Sequence, residues 1–125
     1  MSPEGKTPLV FVTVEGNGEG AALLYGHFDK QPHMTGWDEG LNPTDPIIKD
    51  GKLYGRGAAD DGYSGFGAIL AIKTCQTLGL PHPRCVILLE ADEESGSADL
   101  PYYLEVLKEK IGTPNTIVKI KIFWV

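Results

Sequence analysis

The stretch Cys85-Val86-Ile87-Leu88-Leu89 decides the fold of this 125-residue chain. An uninterrupted apolar run of this length is typical of a β-strand that is covered on both faces. A strand of that kind needs a packed layer on each side, so the rest of the chain must supply those layers.

A helix is predicted on each side of this strand in the sequence. Residues 62–78 carry apolar side chains at roughly helical spacing, and Gly79 with Pro81 ends the segment; the apolar positions are Phe66, Ile69, Leu70, Cys75 and Leu78. Beyond the strand, Ser97 or Asp99 is expected to cap a second helix that ends at Gly112 and Pro114. Its apolar stripe is predicted to be Leu100, Leu104, Leu107 and Ile111.

Further strands are predicted toward both ends of the chain. Residues 9–14 and 21–25 are apolar and are joined by a glycine-spaced turn, which predicts a hairpin or two neighbouring strands. Residues 29–50 are predicted to form a long surface loop, and Asp50-Gly51 a turn before a short strand at residues 52–54. Residues 116–125 alternate apolar and basic side chains, which predicts a strand whose apolar end is prone to association. The alternation of strands and helices predicts an α/β layer sandwich.

Composition excludes several classes of partner. The chain has 11 basic and 17 acidic residues, a formal charge of −6, and no basic run, so neither a nucleic acid nor an anionic membrane is expected as a partner. No apolar stretch approaches the length of a membrane span, and no signal peptide is recognisable. Cys75 and Cys85 lie among apolar residues and are expected to be free thiols, so we expect a cytoplasmic protein.

The first chemically interesting stretch is Gly26-His27-Phe28-Asp29, which follows a predicted strand. In an extended backbone the side chains of His27 and Asp29 share a face, so the carboxylate can hold the imidazole. That arrangement fixes the tautomer of a metal-bound histidine, although a surface His beside an Asp is the alternative interpretation.

The second stretch, residues 55–62, places Asp60 and Asp61 between a tight glycine loop and a helix start. Asp61 is expected to cap the helix. Asp60 follows His27 by 33 residues, and its two oxygens could bridge two cations about 3.5–4 Å apart.

The third stretch follows the buried strand and concentrates carboxylates at Glu90, Asp92, Glu93 and Glu94. Side chains this close would repel one another or require a cation. Because consecutive side chains point in different directions, one glutamate can bind metal while its neighbour accepts a proton from water. A solvated acidic turn is the alternative.

Taken together, the three stretches resemble the co-catalytic zinc exopeptidases, the family of cytosolic dipeptidases, carnosinases, aminoacylases, acetylornithine deacetylase and carboxypeptidase G, with the dipeptidase branch the most similar. The resemblance runs from about Leu9 to Pro114. It implies a three-layer α/β sandwich with a mixed, largely parallel sheet flanked by helices.

The resemblance also implies roles for individual residues. His27 would bind one metal ion, Asp60 would bridge two, and Glu94 would bind the second. Glu93 would be the general base, and Asp29 would orient His27. Two divalent ions are implied, with zinc expected and manganese or cobalt as alternatives, and the substrate would be a small peptide or an N-acyl amino acid.

Relatives of this kind have a further acidic ligand after the next strand and a histidine ligand late in the chain. Here no acidic residue follows Glu109 and no histidine follows His82. We therefore expect residues 1–125 to be a single partial catalytic domain without the lid or dimerisation domain, produced by truncation, a frame shift or a split gene. The expected function is metal-dependent hydrolysis of a peptide or N-acyl amide bond. The alternative is a non-catalytic fragment or interaction module that keeps the fold and pairs with itself or a complementary chain.

Overall fold

The structure is a computed structural model that describes residues 1–119. The strands are β1 (Leu9–Val14), β2 (Ala21–His27), β3 (Ile47–Lys49), β4 (Lys52–Tyr54), β5 (Arg84–Glu90) and β6 (Thr116–Lys119). The helices are α1 (Ser64–Thr77), α2 (Leu100–Val106) and α3 (Lys108–Ile111). The predicted last strand is confirmed up to Lys119, and residues 120–125 lie outside the described residues. Among residues 1–119, no helix is long and apolar enough to cross a bilayer.

The main sheet is mixed and largely parallel, as the resemblance implied. Its strand order is β1-β5-β2-β6, in which β2 runs parallel to both β5 and β6, and β1 runs antiparallel to β5. Strand β5 therefore lies inside the sheet with a partner on each side, which explains its continuous apolar sequence.

Alternate side chains of β5 enter two separate hydrophobic cores. Val86 and Leu88 pack with Tyr103, Leu107 and Ile111 of the α2–α3 region on one face of the sheet. On the other face, Cys85 and Ile87 pack against α1; the α1 side chains in that core are Ala68 and Ile72. The sheet is thus the middle layer of a three-layer α/β sandwich, as predicted.

The expected hairpin or neighbouring pair formed by the first two strands is wrong, because β5 lies between β1 and β2. The connection from β1 instead crosses the start of β5, where the Gly18 N–H donates to the His82 carbonyl at 2.9 Å. A Cβ at Gly16 would lie 2.0 Å from that same oxygen. The glycines of this connection therefore allow it to pass close to another backbone rather than to form a tight hairpin turn.

The predicted helix is confirmed as α1, but most of the apolar residues whose spacing predicted it do not face the sheet. The large side chains Phe66, Ile69, Leu70 and Leu78 are exposed, and the buried residues are the smaller Ser64 and Ala68 together with Ile72. Small residues allow the helix to lie close to the sheet: a Cβ at Gly65 would lie 2.7 Å from Leu89 Cδ1. Phe66 and Ile69 instead line an open apolar groove between α1 and β1. Val10 and Val12 of β1 line the opposite side of this groove.

The second predicted helix is divided into α2 and α3, and its stripe differs from the prediction, whereas Asp99 stands at the predicted N-cap position. Tyr103 is buried in place of Leu104, which is 41% exposed. Neither candidate residue caps the helix through its side chain. The Asp99 carboxylate accepts hydrogen bonds from Lys6 Nζ at 2.7 Å and from the Thr7 N–H at 2.8 Å. The Asp99 side chain therefore binds the N-terminal segment instead of capping the helix.

Residues 29–50 are irregular except for a short strand that the sequence did not indicate. Strand β3 pairs with β4 in an antiparallel hairpin, and the predicted turn at Asp50-Gly51 joins them. Both turn residues have positive φ, 52° at Asp50 and 73° at Gly51, as a two-residue hairpin loop requires.

Asp61 connects the end of β2 to the start of α1. Its carboxylate accepts hydrogen bonds from the N–H groups of Tyr63 and Ser64 at 3.2 and 3.1 Å and from the N–H of His27 at 3.2 Å. Burial by itself would raise the pKa of Asp61, but the hydrogen bonds from Ser64 and His27 outweigh it and hold the pKa below its ordinary value. Asp61 therefore binds the helix start as expected, although the N-cap position is occupied by Tyr63, and the same carboxylate also fixes the backbone of His27.

Replacing Ile72 with alanine should destabilise the fold far more than replacing Ile69. Ile72 is 6% exposed and Ile69 is 55% exposed, so only the first substitution leaves a cavity. Ile72→Ala is expected to lower the free energy of unfolding by about 2–5 kcal/mol. Ile69→Ala should change it by less than about 0.5 kcal/mol. Urea unfolding followed by circular dichroism measures both, and equal effects would contradict the packing of α1.

The Asp61 contribution to stability should depend on pH. Because its folded pKa is lowered, the ionised carboxylate stabilises the fold above its unfolded pKa of about 3.9, and this is lost as the pH falls through the folded pKa. Asp61→Asn should therefore lower the free energy of unfolding at pH 7 by about 1–3 kcal/mol. The difference from wild type should shrink below about pH 4.

Urea unfolding at a series of pH values tests this expectation. Asp38→Asn is the matched control because Asp38 is exposed. If the free energy of unfolding of the wild type exceeds that of Asp61→Asn by the same amount at every pH, the charge of Asp61 does not contribute to stability.

Candidate metal centre

The pairing of β2 with β5 brings two of the three polar stretches to one edge of the sheet. The strands are parallel, and their last residues, His27 and Glu90, are partners in the register. The following segments therefore leave the sheet side by side, and the Phe28 N–H donates to the Glu90 carbonyl at 2.9 Å. The carboxyl ends of parallel strands are where α/β proteins present functional side chains.

Asp29 joins the two segments. Its carboxylate accepts hydrogen bonds from the N–H groups of Glu93 and Glu94, at 3.3 and 2.9 Å, where the chain forms a single 3₁₀ turn at Glu93–Ser95. The same carboxylate lies 3.3 Å from His27 Nδ1. Asp29 therefore sits as the sequence predicted, beside the imidazole, and it also fixes the backbone of the glutamate pair.

The other imidazole nitrogen faces the remaining acidic groups. His27 is 5% exposed, and its Nε2 lies 3.3 Å from Asp60 Oδ1 and 3.8 Å from Glu93 Oε2. With Nδ1 turned toward Asp29, Nε2 is the nitrogen that can bind a cation. Asp60 reaches this position because the glycine loop returns to the end of β2 before α1 begins.

Close packing of α1 against β2 fixes where that loop returns. A Cβ at Gly26 would lie 2.0 Å from Ser64 Oγ, so only a glycine allows the first residue of α1 to approach the end of β2. Asp60 therefore precedes a helix start whose position the sheet determines.

Glu94 completes a cluster with His27 and Asp60. One ligand atom from each of the three residues lies within 4.8 Å of the other two. Glu94 Oε2 accepts a hydrogen bond from Gln31 Nε2 at 2.7 Å, whereas Glu94 Oε1 is buried and has no hydrogen-bond partner among residues 1–119. A buried carboxylate oxygen without a partner is costly, and a divalent cation would satisfy it. The residues present therefore fit a metal ion.

A buried network lies directly beneath these residues. Glu90 is 2% exposed and accepts hydrogen bonds from the Tyr25 hydroxyl and from Ser97 Oγ, the latter at 2.9 Å. Burial, followed by the hydrogen bond to Glu90, raises the pKa of Tyr25 above its usual range. Tyr25 therefore remains a neutral donor, and the network ties the turn after β5 to β2.

Two polar residues at this site were missed by sequence reasoning. Gln31 holds Glu94, and Lys30 Nζ donates to the Phe28 carbonyl at 3.0 Å and also to the Asp61 carbonyl. Both stand directly after Asp29, in a segment predicted only as an irregular loop. No spacing rule connects them with residues more than 30 positions away, so the sequence alone offered no signal for these contacts.

Known proteins with similar sequences belong to families of hydrolases, in agreement with the geometry of the cluster. Residues 23–122 match the family described as peptidase family M20/M25/M40. The chain is 39% identical over 106 residues to an acetylornithine deacetylase of Proteus mirabilis, covering 81% of the chain and 26% of that protein. It is 35% identical over 96 residues to a succinyl-diaminopimelate desuccinylase of a Sulfurovum species, covering 74% of the chain and 23% of that protein.

Solved structures show the same fold. Human carnosine dipeptidase 1 superposes with a TM-score of 0.79 at 28% identity, over 95% of this chain and 26% of that one. An M20 family metallo-carboxypeptidase from Sulfolobus solfataricus superposes with a TM-score of 0.77 at 26% identity, over 89% of this chain and 25% of that one. The chain spans about a quarter of the length of the relatives it matches. By its sequence and its fold, this chain is a member of peptidase family M20/M25/M40.

Proposed function

We propose that the chain is the metal-binding part of a metal-dependent hydrolase that cleaves a peptide or N-acyl amide bond. The observation that carries this proposal is the cluster of His27, Asp60 and Glu94, in which a buried carboxylate oxygen lacks a partner. The relatives are named as a deacetylase, a desuccinylase and a dipeptidase, and these activities all hydrolyse an amide bond, which supports this reaction class.

The proposed metal ligands are those that the resemblance implied. His27 would bind one divalent ion through Nε2, Asp60 would bridge two ions, and Glu94 would bind the second. Zinc is the proposed metal, with manganese and cobalt as alternatives, because imidazole and carboxylate ligands accept several divalent ions. When bound, such ions would polarise the scissile carbonyl and lower the pKa of a shared water.

Glu93 is the proposed general base. Its Oε2 lies 3.8 Å from His27 Nε2, so the carboxylate borders the cluster without forming part of it. A carboxylate at this position can accept a proton from water and transfer it to the departing amine. Asp29 would keep the Nδ1 proton of His27 fixed, which leaves Nε2 free to act as a ligand.

The extent of the domain is also a proposal. We infer that residues 1–125 form one partial catalytic domain, and that the remaining ligands and substrate contacts come from further chain, in a cytoplasmic protein. The length of the relatives supports this inference, since the matched part of the chain covers only 26% of each of them. The apolar groove beside β1 is compatible with an oligomer or a complementary segment.

Metal binding should depend on the three proposed ligands. His27→Ala and Glu94→Gln should each weaken zinc affinity by more than about 100-fold, since changes outside the ligand set alone cost about 10–100-fold. Competition with a chromophoric chelator measures this affinity. The matched controls are His33→Ala and Glu105→Gln, both at exposed positions.

Equal zinc affinity in the ligand and control variants would contradict the proposed site. Absence of metal binding together with stable oligomers in light scattering would favour the interaction-module alternative.

Removal of the Glu93 carboxylate should separate catalysis from binding. In the metal-loaded protein, Glu93→Gln should lower the hydrolysis of a dipeptide or an N-acetyl amino acid by about 10²–10⁴-fold, the usual contribution of a general base. Zinc affinity should change little. Amine release, followed by a fluorogenic reagent, measures turnover, and Glu105→Gln is the control.

Undiminished turnover in Glu93→Gln would remove Glu93 from its proposed role. A wild-type chain that binds metal but hydrolyses none of these substrates would show that residues 1–125 alone do not complete a catalytic site.

A further inference from the structure

The Lys30 ammonium connects two loops that are far apart in the sequence. Its Nζ donates to the carbonyl of Phe28 at 3.0 Å and to the carbonyl of Asp61, which is 31 residues away. Phe28 belongs to the segment after β2 that carries Asp29, and Asp61 belongs to the loop that carries Asp60. One side chain therefore joins the His27 side of the cluster to the Asp60 side.

The glycine loop leaves space for this lysine. A Cβ at Gly57 would lie 2.3 Å from Lys30 Cε and 2.5 Å from its Cδ, and a Cβ at Gly62 would lie 3.8 Å from Nζ. The aliphatic part of Lys30 thus passes over Gly57 to reach the Asp61 carbonyl. Gly57 also has a φ of +82°, a conformation that favours glycine.

An ammonium group suits this position. It has three N–H donors and no acceptor, and hydrogen bonds from a charged donor are stronger than those from a neutral one. Its two acceptors, the carbonyls of Phe28 and Asp61, are directly beside Asp29 and Asp60 in the sequence.

We propose that Lys30 is a positioning residue that fixes the loop of residues 57–61 against the end of β2 and thereby holds Asp60 within reach of a cation shared with His27. The proposal rests on the proposed metal-binding function and adds to it a residue that does not touch the metal. Asp60 has 39% of its side chain exposed, and its Oδ1 lies 3.3 Å from His27 Nε2, so its position depends on the backbone that carries it.

The role of Lys30 is separable from overall folding. The start of α1 is attached to β2 by the Asp61 carboxylate, which accepts from the His27 N–H without help from Lys30. Loss of Lys30 should therefore release the loop before Asp61 while α1 and the sheet keep their packing.

The test compares Lys30→Met, Lys30→Arg and the control Lys108→Met in the full chain. Lys30→Met preserves the aliphatic length and removes the donors, whereas Lys108 is an exposed lysine of α3. Three properties are measured: zinc affinity, the visible absorption spectrum of the cobalt-loaded protein, and amide hydrogen exchange without metal at Ala58, whose N–H donates to the Gly55 carbonyl at 3.2 Å.

We expect Lys30→Met to weaken zinc affinity about 10–100-fold, the usual cost of losing a group that orients a ligand. Its cobalt spectrum should change, and Ala58 exchange should accelerate, while the urea midpoint stays near that of Lys108→Met. Lys30→Arg keeps the charge and the donors and should recover part of the affinity.

Zinc affinity and Ala58 exchange that equal those of Lys108→Met would overturn the role of Lys30. A loss of affinity that follows a lowered urea midpoint and is not recovered by Lys30→Arg would also overturn it, because the effect would then be general destabilisation. If the wild type itself binds no zinc, the proposed function fails. Ala58 exchange would still decide whether Lys30 holds the loop: acceleration supports that role, and no change excludes it.

Discussion

The parallel pairing of β2 with β5 is the constraint on which the rest of the structure depends. Because His27 and Glu90 are partners at the ends of the two strands, the segments that follow must emerge together. Asp29 can then bind the backbone of Glu93 and Glu94, and Phe28 can bind Glu90. A shift of one residue in this register would turn His27 to the opposite face of the sheet and separate it from the glutamates.

The site concentrates negative charge and compensates most of it with specific partners. Asp29 is satisfied by two backbone N–H groups, Glu94 Oε2 by Gln31, and Glu93 Oε1 lies 3.5 Å from Lys119 Nζ. Two buried carboxylate oxygens have no hydrogen-bond partner among residues 1–119, Glu90 Oε2 and Glu94 Oε1, and of these two residues Glu94 belongs to the cluster with His27 and Asp60. A divalent cation would suit this cluster, since it would neutralise carboxylates that otherwise repel one another.

Much of the fold could be predicted because it depends on local patterns. The apolar run of β5, the limits of α1 and the turn at Asp50-Gly51 each follow from short-range signals. The position of β1 beyond β5 could not be predicted, because strand order depends on which edges pair after the chain has crossed the sheet. Which face of α1 is buried depends on the packing of the helix: Phe66 and Ile69 belong to the apolar positions that indicated the helix, yet the helix approaches the sheet through Ala68 and Ile72.

The sequence by itself determined which residue types stand at the ends of two strands, since Gly26, His27 and Asp29 follow one apolar run and the carboxylates of residues 90–94 follow another. It also determined the family, because the three stretches occur at characteristic separations. Only the tertiary structure decided that His27, Asp60 and Glu94 meet, and that Lys30 and Gln31 support them. The physical reason is that these contacts join residues more than 30 positions apart, and only the packing of α1 and β5 against β2 brings such residues within hydrogen-bonding distance.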